Sequence, residues 1–176
     1  MPPDERRQMI VAAALPLLLV HGERVTSRQI AEAAGIAEGT IFRAFVDKDE
    51  VIAAVLESAL DPEPLEAALL GIDPSLSFDD ALSAAVEVMQ QRVVDIWRLV
   101  SSIPTRFHER AKRPMTDSHG LVQLMERYRD SLTVPPIVAA RLLRALTLSV
   151  THPMLAGEPM SAAEVRHLFL HGVGQC

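Results

Sequence analysis

The sequence predicts an all-α protein, in which an N-terminal three-helix domain of the helix-turn-helix type is joined to a C-terminal helical bundle. Apolar residues recur at helical spacing in every long segment, and no strand-like alternation of apolar and polar residues persists. Prolines and glycines fall between these segments, where they end helices. We place the first domain at residues 1–47 and the second at residues 48–176.

The first two predicted helices have clear start and stop signals. The first covers about residues 3–20, and Gly22 follows it as its C-cap. The second begins after Thr26, because Thr26 and Gln29 have the spacing of a capping box, in which each side chain binds a backbone amide of the other residue. It ends at Gly35, which adopts positive φ without a steric penalty.

A short third helix over about residues 37–45 and a fourth from about Asp47 complete the N-terminal pattern. Acidic residues at the start of the fourth helix suit the positive end of a helix dipole. A helix-turn-helix holds its second and third helices nearly perpendicular, so small and branched residues must lie where they touch. We expect that contact to consist of Ile30, Ala31, Ala34, Gly35, Ile36 and Ile41.

Five more helices are predicted in the C-terminal part. The longest opens at Ser77 with Asp80 and runs to about residue 102. A capping box of Ser161 and Glu164 starts the last, which ends at Gly172. The other three cover about residues 105–112, 117–130 and 135–152.

The third helix carries polar or small residues that can meet phosphates and base edges, namely Glu38, Gly39, Thr40 and Arg43. Arg43 is the strongest candidate for base readout, because a guanidinium can bridge guanine O6 and N7. A phosphate clamp is the alternative role for Arg43. Helical hairpins with a glycine turn also occur in proteins that never bind DNA, so the spacing alone leaves both functions open.

The charge of the chain argues against indiscriminate binding to DNA. The net charge is −6, and residues 1–50 hold six basic against eight acidic side chains. A small face can still bind, because a few phosphate contacts and helix N-termini can position a reading helix.

One stretch resembles the signature of the tetracycline-repressor (TetR/AcrR) family: residues 25–45, VTSRQIAEAAGIAEGTIFRAF, followed by Lys48. The resemblance extends over about residues 8–56, since the flanking first and fourth helices also match. It implies a homodimer whose third helices enter successive major grooves of double-stranded DNA. It also implies a divergent C-terminal domain that forms the dimer interface and binds a small-molecule effector. The implied function is a ligand-responsive transcriptional repressor that occludes a palindromic operator until a small molecule releases it.

The resemblance also implies a set of DNA-contacting residues. Arg28 and the hydroxyls of Thr26 and Ser27 resemble phosphate contacts of the second helix, and Lys48 matches the basic residue that starts the fourth helix. The reading helix contributes Glu38, Gly39, Thr40, Phe42 and Arg43.

Three positions depart from the family pattern. Ala37 replaces a usual serine, Phe42 a usual tyrosine, and Ala44 a usual tyrosine or histidine. We expect weaker anchoring to the DNA backbone, or a compensating contact, because each change removes a polar contact. Losing one hydrogen bond to a charged group costs about 1.5–3 kcal/mol. Phe42 can still pack against a sugar or a thymine methyl group.

Two more sets of candidates lie in the C-terminal part. An effector of unknown class would enter an apolar cavity lined by Met89, Trp97, Phe107, Met125 and Tyr128, with Met115 and Leu121 extending the lining. Ordinary core packing is the alternative for these residues. The last two helices would form a four-helix bundle across a two-fold axis, or else an intramolecular hairpin. The expected dimer residues are Val138, Leu142, Ala145, Leu146, Ser149, Val165, Leu168 and Phe169.

Other functional classes find little support. The chain has no glycine-rich phosphate loop, nucleophile elbow or HExxH motif, so we expect neither an enzyme nor a cofactor. His167 and His171 lie one helical turn apart without a third ligand at suitable spacing, so no metal site is expected. A single cysteine, Cys176, and the absence of a long apolar run favour the cytoplasm and exclude a membrane span, and the acidic start argues against a signal peptide. The rival function is a helical interaction protein that keeps the helix-turn-helix shape without specific DNA binding.

Overall fold

The structure, a computed structural model, describes residues 2–111 and 116–173. These residues form α-helices and three short 3₁₀ turns, and none of them lies in a strand. The predicted all-α fold is therefore confirmed. The helices are α1 (Pro3–His21), α2 (Ser27–Ala34), α3 (Glu38–Ala44), α4 (Lys48–Ala59), α5 (Glu63–Leu70), α6 (Phe78–Ser102), α7 (His108–Ala111), α8 (His119–Arg127), α9 (Pro136–Thr151) and α10 (Ala162–His171).

The described residues divide into two compact units. The first contains those of 1–61 and 96–114, and the second those of 62–95 and 115–176. Helix α4 belongs to the first unit, because its Val51, Ile52, Val55 and Leu56 are buried in that unit's core. The division into residues 1–47 and 48–176 stays a prediction about functional domains.

The core of the first unit is built on one face of α1. Ile10, Ala14 and Leu18 recur every four residues, and all three are fully buried. They form one cluster with apolar residues of α2, α3, α4 and the end of α6, including Ile30, Ala31, Ile41, Phe45, Val51, Ile52, Val55, Leu56 and Leu99. Helices α2 and α3 are therefore supported by a continuous apolar core.

Two glycines in the first unit occupy the left-handed region that their turns require. Gly35 ends α2 with φ 66°, and its N–H is donated to the Ala31 carbonyl. Gly22 follows α1 with φ 57°, and a Cβ at this position would lie 2.7 Å from the Ser102 carbonyl oxygen. Both predicted C-caps are confirmed, and a larger residue at Gly22 would also clash.

The second unit contains a close helix crossing and a partly buried polar bridge. Helices α5 and α8 meet at Gly120, where a Cβ would lie 2.7 Å from Leu69 Cβ. The Gln90 amide of α6 donates to Thr151 Oγ1 at 3.1 Å and to the Met160 carbonyl at 2.7 Å, which ties the end of α9 and the start of α10 to α6. The apolar core includes Leu82, Val86, Met89, Leu121, Leu124, Met125, Leu143 and Val165.

The structure differs from the sequence-based expectation at three places. Helix α5 lies between the predicted fourth helix and the long helix that opens at Ser77, where no helix was expected. The predicted helix over residues 105–112 is a 3₁₀ turn, Thr105–Phe107, followed by the single turn α7, and Lys112 lies outside the described residues. Helix α8 ends at Arg127, and a 3₁₀ turn covers Arg129–Ser131. Without clear start and stop signals, a helix of one or two turns carries too little periodicity to be placed accurately from sequence.

Candidate nucleic-acid interface

Four of the six residues that the sequence predicts for the contact between α2 and α3 belong to the core of the first unit, whereas Ala34 is outside that core and Gly35 is exposed. Ile30, Ala31 and Ile41 are buried in the core of the first unit. Ile36 in the turn packs against the same core, and its N–H donates to the Ala31 carbonyl at 3.0 Å. Since this face of α3 is buried, the other face remains in solvent.

The residues predicted to contact DNA all reach the surface of the first unit. Phe42 is 51% exposed, which leaves it able to contact an apolar group. The role of the whole set in DNA contact stays a prediction. Ser27, Thr40 and Lys48 are half-buried, and the exposed members are Thr26, Arg28, Glu38, Gly39, Phe42 and Arg43.

The side chain of Thr26 is engaged in capping the start of α2. Its hydroxyl donates to Gln29 Oε1 at 3.0 Å and accepts from the Gln29 N–H at 3.2 Å. The Thr26 N–H also donates to Gln29 Oε1, at 2.9 Å, so the predicted capping box is complete. A hydroxyl has one proton to donate, so a phosphate contact from Thr26 would have to displace Gln29.

Lys48 and Arg28 also have partners within the first unit. Lys48 Nζ donates to the Glu23 carbonyl at 2.7 Å. Arg28 Nε donates to Glu32 Oε1 at 3.0 Å, although the Arg28 side chain is 79% exposed. An ammonium has three donors and a guanidinium five, so both residues keep donors for a phosphate.

Arg43 differs from the other cations of this face. It is exposed near the end of α3, and it forms no hydrogen bond or ion pair with any residue that the structure describes. Its whole guanidinium fork is therefore available to a ligand.

Arg7 of α1 connects the end of α3 to the start of α4. Its Nη1 donates to the Ala44 carbonyl, and its Nη2 lies 2.9 Å from Glu50 Oε1. The guanidinium carbon lies 4.0 Å from the centroid of the Phe45 ring. The second Glu50 oxygen accepts the Val46 N–H at 2.6 Å. These bonds, first from Val46 and then from Arg7, hold the pKa of Glu50 below its usual range.

A second arginine binds the first turn of α4. Arg106 donates from Nε and Nη2 to the two carboxylate oxygens of Asp49, at 3.1 and 2.9 Å. It also lies 3.8 Å from a carboxylate oxygen of Glu23. The hydrogen bond from Arg106 is the main reason why the pKa of Asp49 is lowered. Asp49 and Glu50, two acidic residues of the first turn of α4, are therefore paired with arginines of the first unit.

Helix α3 begins without a side-chain cap. Ala37 occupies the N-cap position with extended backbone, φ −71° and ψ 143°, and has no side chain able to bind an amide of the first turn. The serine that the family usually has here would supply that bond. The alanine at position 37, where the family usually has serine, therefore leaves the start of α3 without a side-chain cap.

Sequence reasoning missed two residues of this face. Arg7 lies three residues before buried Ile10, so helical spacing places it on the inner face of α1, where a charge needs a partner. Val46 is 84% exposed in the turn between α3 and α4. A β-branched apolar residue directly before the capping Asp47 was the available signal.

The predicted effector-lining residues fall in two units. Met89 and Met125 are buried in the second core, and the Tyr128 hydroxyl donates to the Leu76 carbonyl at 2.7 Å. Phe107 is buried in the first core and Trp97 is half-buried in the first unit. Their role as a cavity lining stays a prediction. Leu121 is buried in the second core, and Met115 lies outside the described residues.

One predicted dimer residue requires correction. Val165 is 0% exposed, because α10 turns this side chain into the core of its own unit. It therefore cannot contact a partner chain. The helical spacing identified an apolar face of α10 but not which neighbour it packs against. Among the others, Leu142, Ala145 and Ser149 are exposed, and Val138, Leu146, Leu168 and Phe169 are half-buried.

An apolar groove of about 390 Å³ lies in the second unit at the predicted dimer face. Leu142 and Leu146 of α9 line it together with Leu168 and Phe169 of α10. Leu142 is 53% exposed. These four residues form a continuous apolar surface within one unit.

The imidazoles of His167 and His171 have centroids 4.7 Å apart, and both residues are exposed. No group of three or more candidate metal ligands occurs in residues 2–111 and 116–173, and Cys176 lies outside them. In the same part of the chain, no helix is both long and apolar enough to cross a bilayer.

Residues 10–55 match the family profile described as bacterial regulatory proteins, tetR family. No curated protein matches the chain significantly. Three solved structures have a similar fold. A TetR-family transcriptional regulator from Streptomyces coelicolor is 20% identical, with a TM-score of 0.57 over 97% of this chain and 79% of that one. LfrR from Mycobacterium smegmatis, in complex with proflavine, is 22% identical, with a TM-score of 0.54 over 97% and 98%. PfmR from Thermus thermophilus is 19% identical, with a TM-score of 0.51 over 94% and 99%.

At these identities the solved structures show a shared fold, and the profile match covers the helices that form the candidate interface. The matched residues include α2, α3 and the first two turns of α4. The N-terminal part of the chain, residues 10–55, is therefore similar to the bacterial regulatory proteins of the tetR family.

Proposed function

We propose that the protein is a homodimeric DNA-binding repressor that occludes a palindromic operator and is released by a small molecule. The observation that carries the DNA-binding part is the α2–α3 pair, whose inner face is buried while Arg43 stands exposed and unpaired among the described residues. In a dimer, two copies of α3 would enter major grooves about one helical turn of DNA apart, or a multiple of that.

The main objection is the acidic composition of residues 1–50, and pairing with Arg106, which lies outside that segment, reduces its acidic excess from two charges to one. Glu50 is paired with Arg7, Glu32 with Arg28, and Asp49 with Arg106. Neutralised carboxylates repel phosphates less than free ones do. The acidic excess therefore does not reach the exposed face of α3 in full.

Salt-dependent binding to duplex DNA tests this proposal against the helical interaction protein. A regulator releases counterions, so log K falls linearly with log[salt]. Arg43→Ala should weaken binding about tenfold or more if the guanidinium reads a base, with specificity relaxed at one position. Arg129→Ala removes the same charge from an exposed pair with Glu126 in the second unit and should leave binding unchanged. If Arg43→Ala weakens binding equally for all sequences, Arg43 contacts a phosphate and not a base. A wild-type protein with no measurable binding to duplex DNA would reject the proposal.

The homodimer is proposed to form through α9 and α10. The exposed apolar surface of Leu142, Leu146, Leu168 and Phe169 supports it, since large exposed patches mark interaction sites. Sedimentation at micromolar concentration should give a dimer for the wild type and a monomer for Leu142→Arg. Leu70→Arg, at an exposed leucine of α5, is the matched control and should remain dimeric. A wild-type monomer would contradict this part.

A small-molecule effector is the remaining part of the proposal. LfrR, which shares the fold, has been crystallised with proflavine. In this chain an effector bound in the C-terminal domain would favour a spacing of the two reading helices that no longer fits the operator. The partners are then double-stranded DNA, a second copy and the effector, with no cofactor, and the protein acts in the cytoplasm as a regulator, not an enzyme.

A further inference from the structure

The end of α3 is held by a residue that lies outside the helix-turn-helix. Arg7 of α1 binds the Ala44 carbonyl, pairs with Glu50 and stacks on Phe45, and these four residues are called the Arg7 cluster below. A guanidinium can make all three contacts at once, because its donors lie in one plane whose face remains free for a ring.

The contacts of Arg7 and Glu50 stabilise backbone groups at the end of α3 and in the turn that follows it. The Ala44 carbonyl belongs to the last turn of α3, where carbonyls have no partner within the helix. A cation at this end also complements the helix dipole. Glu50 reaches back from α4 to the Val46 N–H at 2.6 Å. The turn between α3 and α4 is thus held by Arg7 at the Ala44 carbonyl and by Glu50 at the Val46 N–H.

We infer that Arg7 is a positioning residue for DNA reading: it fixes the C-terminal turn of α3 and so the direction in which Phe42 and Arg43 project. This inference rests on the proposed function. Helix α3 has seven residues, one of them buried, and no N-terminal side-chain cap, so local interactions alone hold it weakly. Through residues of α1 and α4, the Arg7 cluster provides stabilising contacts that the residues of α3 do not make among themselves.

A direct phosphate contact is the competing role for Arg7, whose side chain is 40% exposed. The two roles predict different salt dependence. A lost phosphate contact lowers the slope of log K against log[salt] by about 1, whereas a lost positioning contact weakens binding at an unchanged slope. Glu50→Gln separates them further, because removing an acidic group would favour direct contact with a phosphate but would weaken positioning.

The experiment measures binding to a duplex that the wild-type protein enriches from a random-sequence pool. We expect Arg7→Ala to weaken binding about tenfold, the size of one lost charge-assisted hydrogen bond, at an unchanged salt slope. Arg7→Lys keeps the charge without the fork and should weaken binding less. Glu50→Gln should weaken binding too, and its effect should not add to that of Arg7→Ala. Gln8→Ala, at the exposed neighbour of Arg7, is the matched control and should bind as the wild type does.

Amide hydrogen exchange in the DNA-free protein provides the readout that does not depend on the proposed function. Arg7→Ala should speed exchange at Phe45 and Val46 by about tenfold, and leave the capped Gln29 amide unchanged. Unchanged exchange at Phe45 and Val46 would overturn the inference, as would a reduced salt slope or unchanged DNA affinity. If the wild type enriches no duplex, the proposed function fails and the DNA-reading role of Arg7 fails with it, while the exchange rates still report whether Arg7 fixes the turn.

Discussion

Helix α2 begins on a threonine that caps it, whereas helix α3 begins on an alanine that cannot. Thr26 and Gln29 exchange hydrogen bonds at the start of α2, and Gly35 ends the helix with φ 66°. At the start of α3, Ala37 supplies only backbone. The other end of α3 is bound by Arg7, 37 residues earlier in the chain.

This difference shows that the two helices of one helix-turn-helix depend on different interactions, local in sequence for α2 and distant in sequence for α3. Local residue chemistry determines where α2 starts and stops. Helix α3 depends on burial of Ile41 and on the Arg7 cluster, both of which need α1 and α4 in place. The helix proposed to read DNA is therefore the one whose geometry the rest of the first unit controls.

The largest expected effect is that of Ile41→Ala. Ile41 is the one buried residue of α3, so truncating it should cost about 2–5 kcal/mol of unfolding free energy and detach α3 from the core. Urea denaturation of the wild type and the variant measures the loss. Ile30→Ala in α2 is the comparison, because Ala31 remains to bury part of that helix. A loss below about 1 kcal/mol for Ile41→Ala would show that α3 does not depend on this contact.

Thr26→Ala should have an intermediate effect. The variant loses both hydrogen bonds of the Thr26 hydroxyl and should lower the free energy of unfolding by about 1 kcal/mol, as for other N-caps. Thermal denaturation gives the difference. Ser27→Ala, one residue into the same helix, is the control and should change stability little. Equal effects at the two positions would argue against a capping role.

Ala37→Ser should make α3 more like α2. A serine at this N-cap can accept an amide of the first turn, which should add about 0.5–1 kcal/mol to stability. Ala33→Ser, at an exposed interior position of α2, should instead cost a few tenths of a kcal/mol, roughly the difference in helix propensity. The opposite signs of the two measured changes are the prediction. Destabilisation by Ala37→Ser would contradict it.

The smallest effect concerns pH. The pKa of Glu50 is lowered in the folded protein, first by the Val46 N–H and then by Arg7. Its stabilising contribution is therefore present above the unfolded pKa and lost as pH falls through the lowered folded pKa. Between about pH 5 and pH 3, Glu50→Gln should lose less stability than the wild type. Parallel curves for the two proteins would show that the Glu50 bonds contribute nothing.

Much of the fold could be predicted because its boundaries depend on local chemistry. Thr26 with Gln29 and Ser161 with Glu164 each mark a helix start by residue types at fixed spacing, and both capping boxes form. Glycines at 22, 35 and 172 mark three helix ends, and all three have positive φ. The family signature likewise lies in one continuous stretch of sequence.

The features that escaped prediction depend on contacts distant in sequence. Nothing near Arg7 indicates that it binds Ala44 and Glu50, and nothing near Lys48 indicates the Glu23 carbonyl. Val165 lies at the helical spacing of an interface residue, but its burial is decided by the packing of α10 in its own unit. Sequence spacing gives the faces of a helix, and tertiary packing decides what each face meets.

Selection of DNA fragments by the purified protein tests the central claim most directly, namely that the α2–α3 pair reads a specific sequence. From a random duplex pool, the wild type should enrich a palindrome whose half-sites lie about one helical turn apart or a multiple of that. Arg43→Ala should enrich a motif that is relaxed at one position of each half-site. A folded wild-type protein that enriches no palindrome would contradict the account.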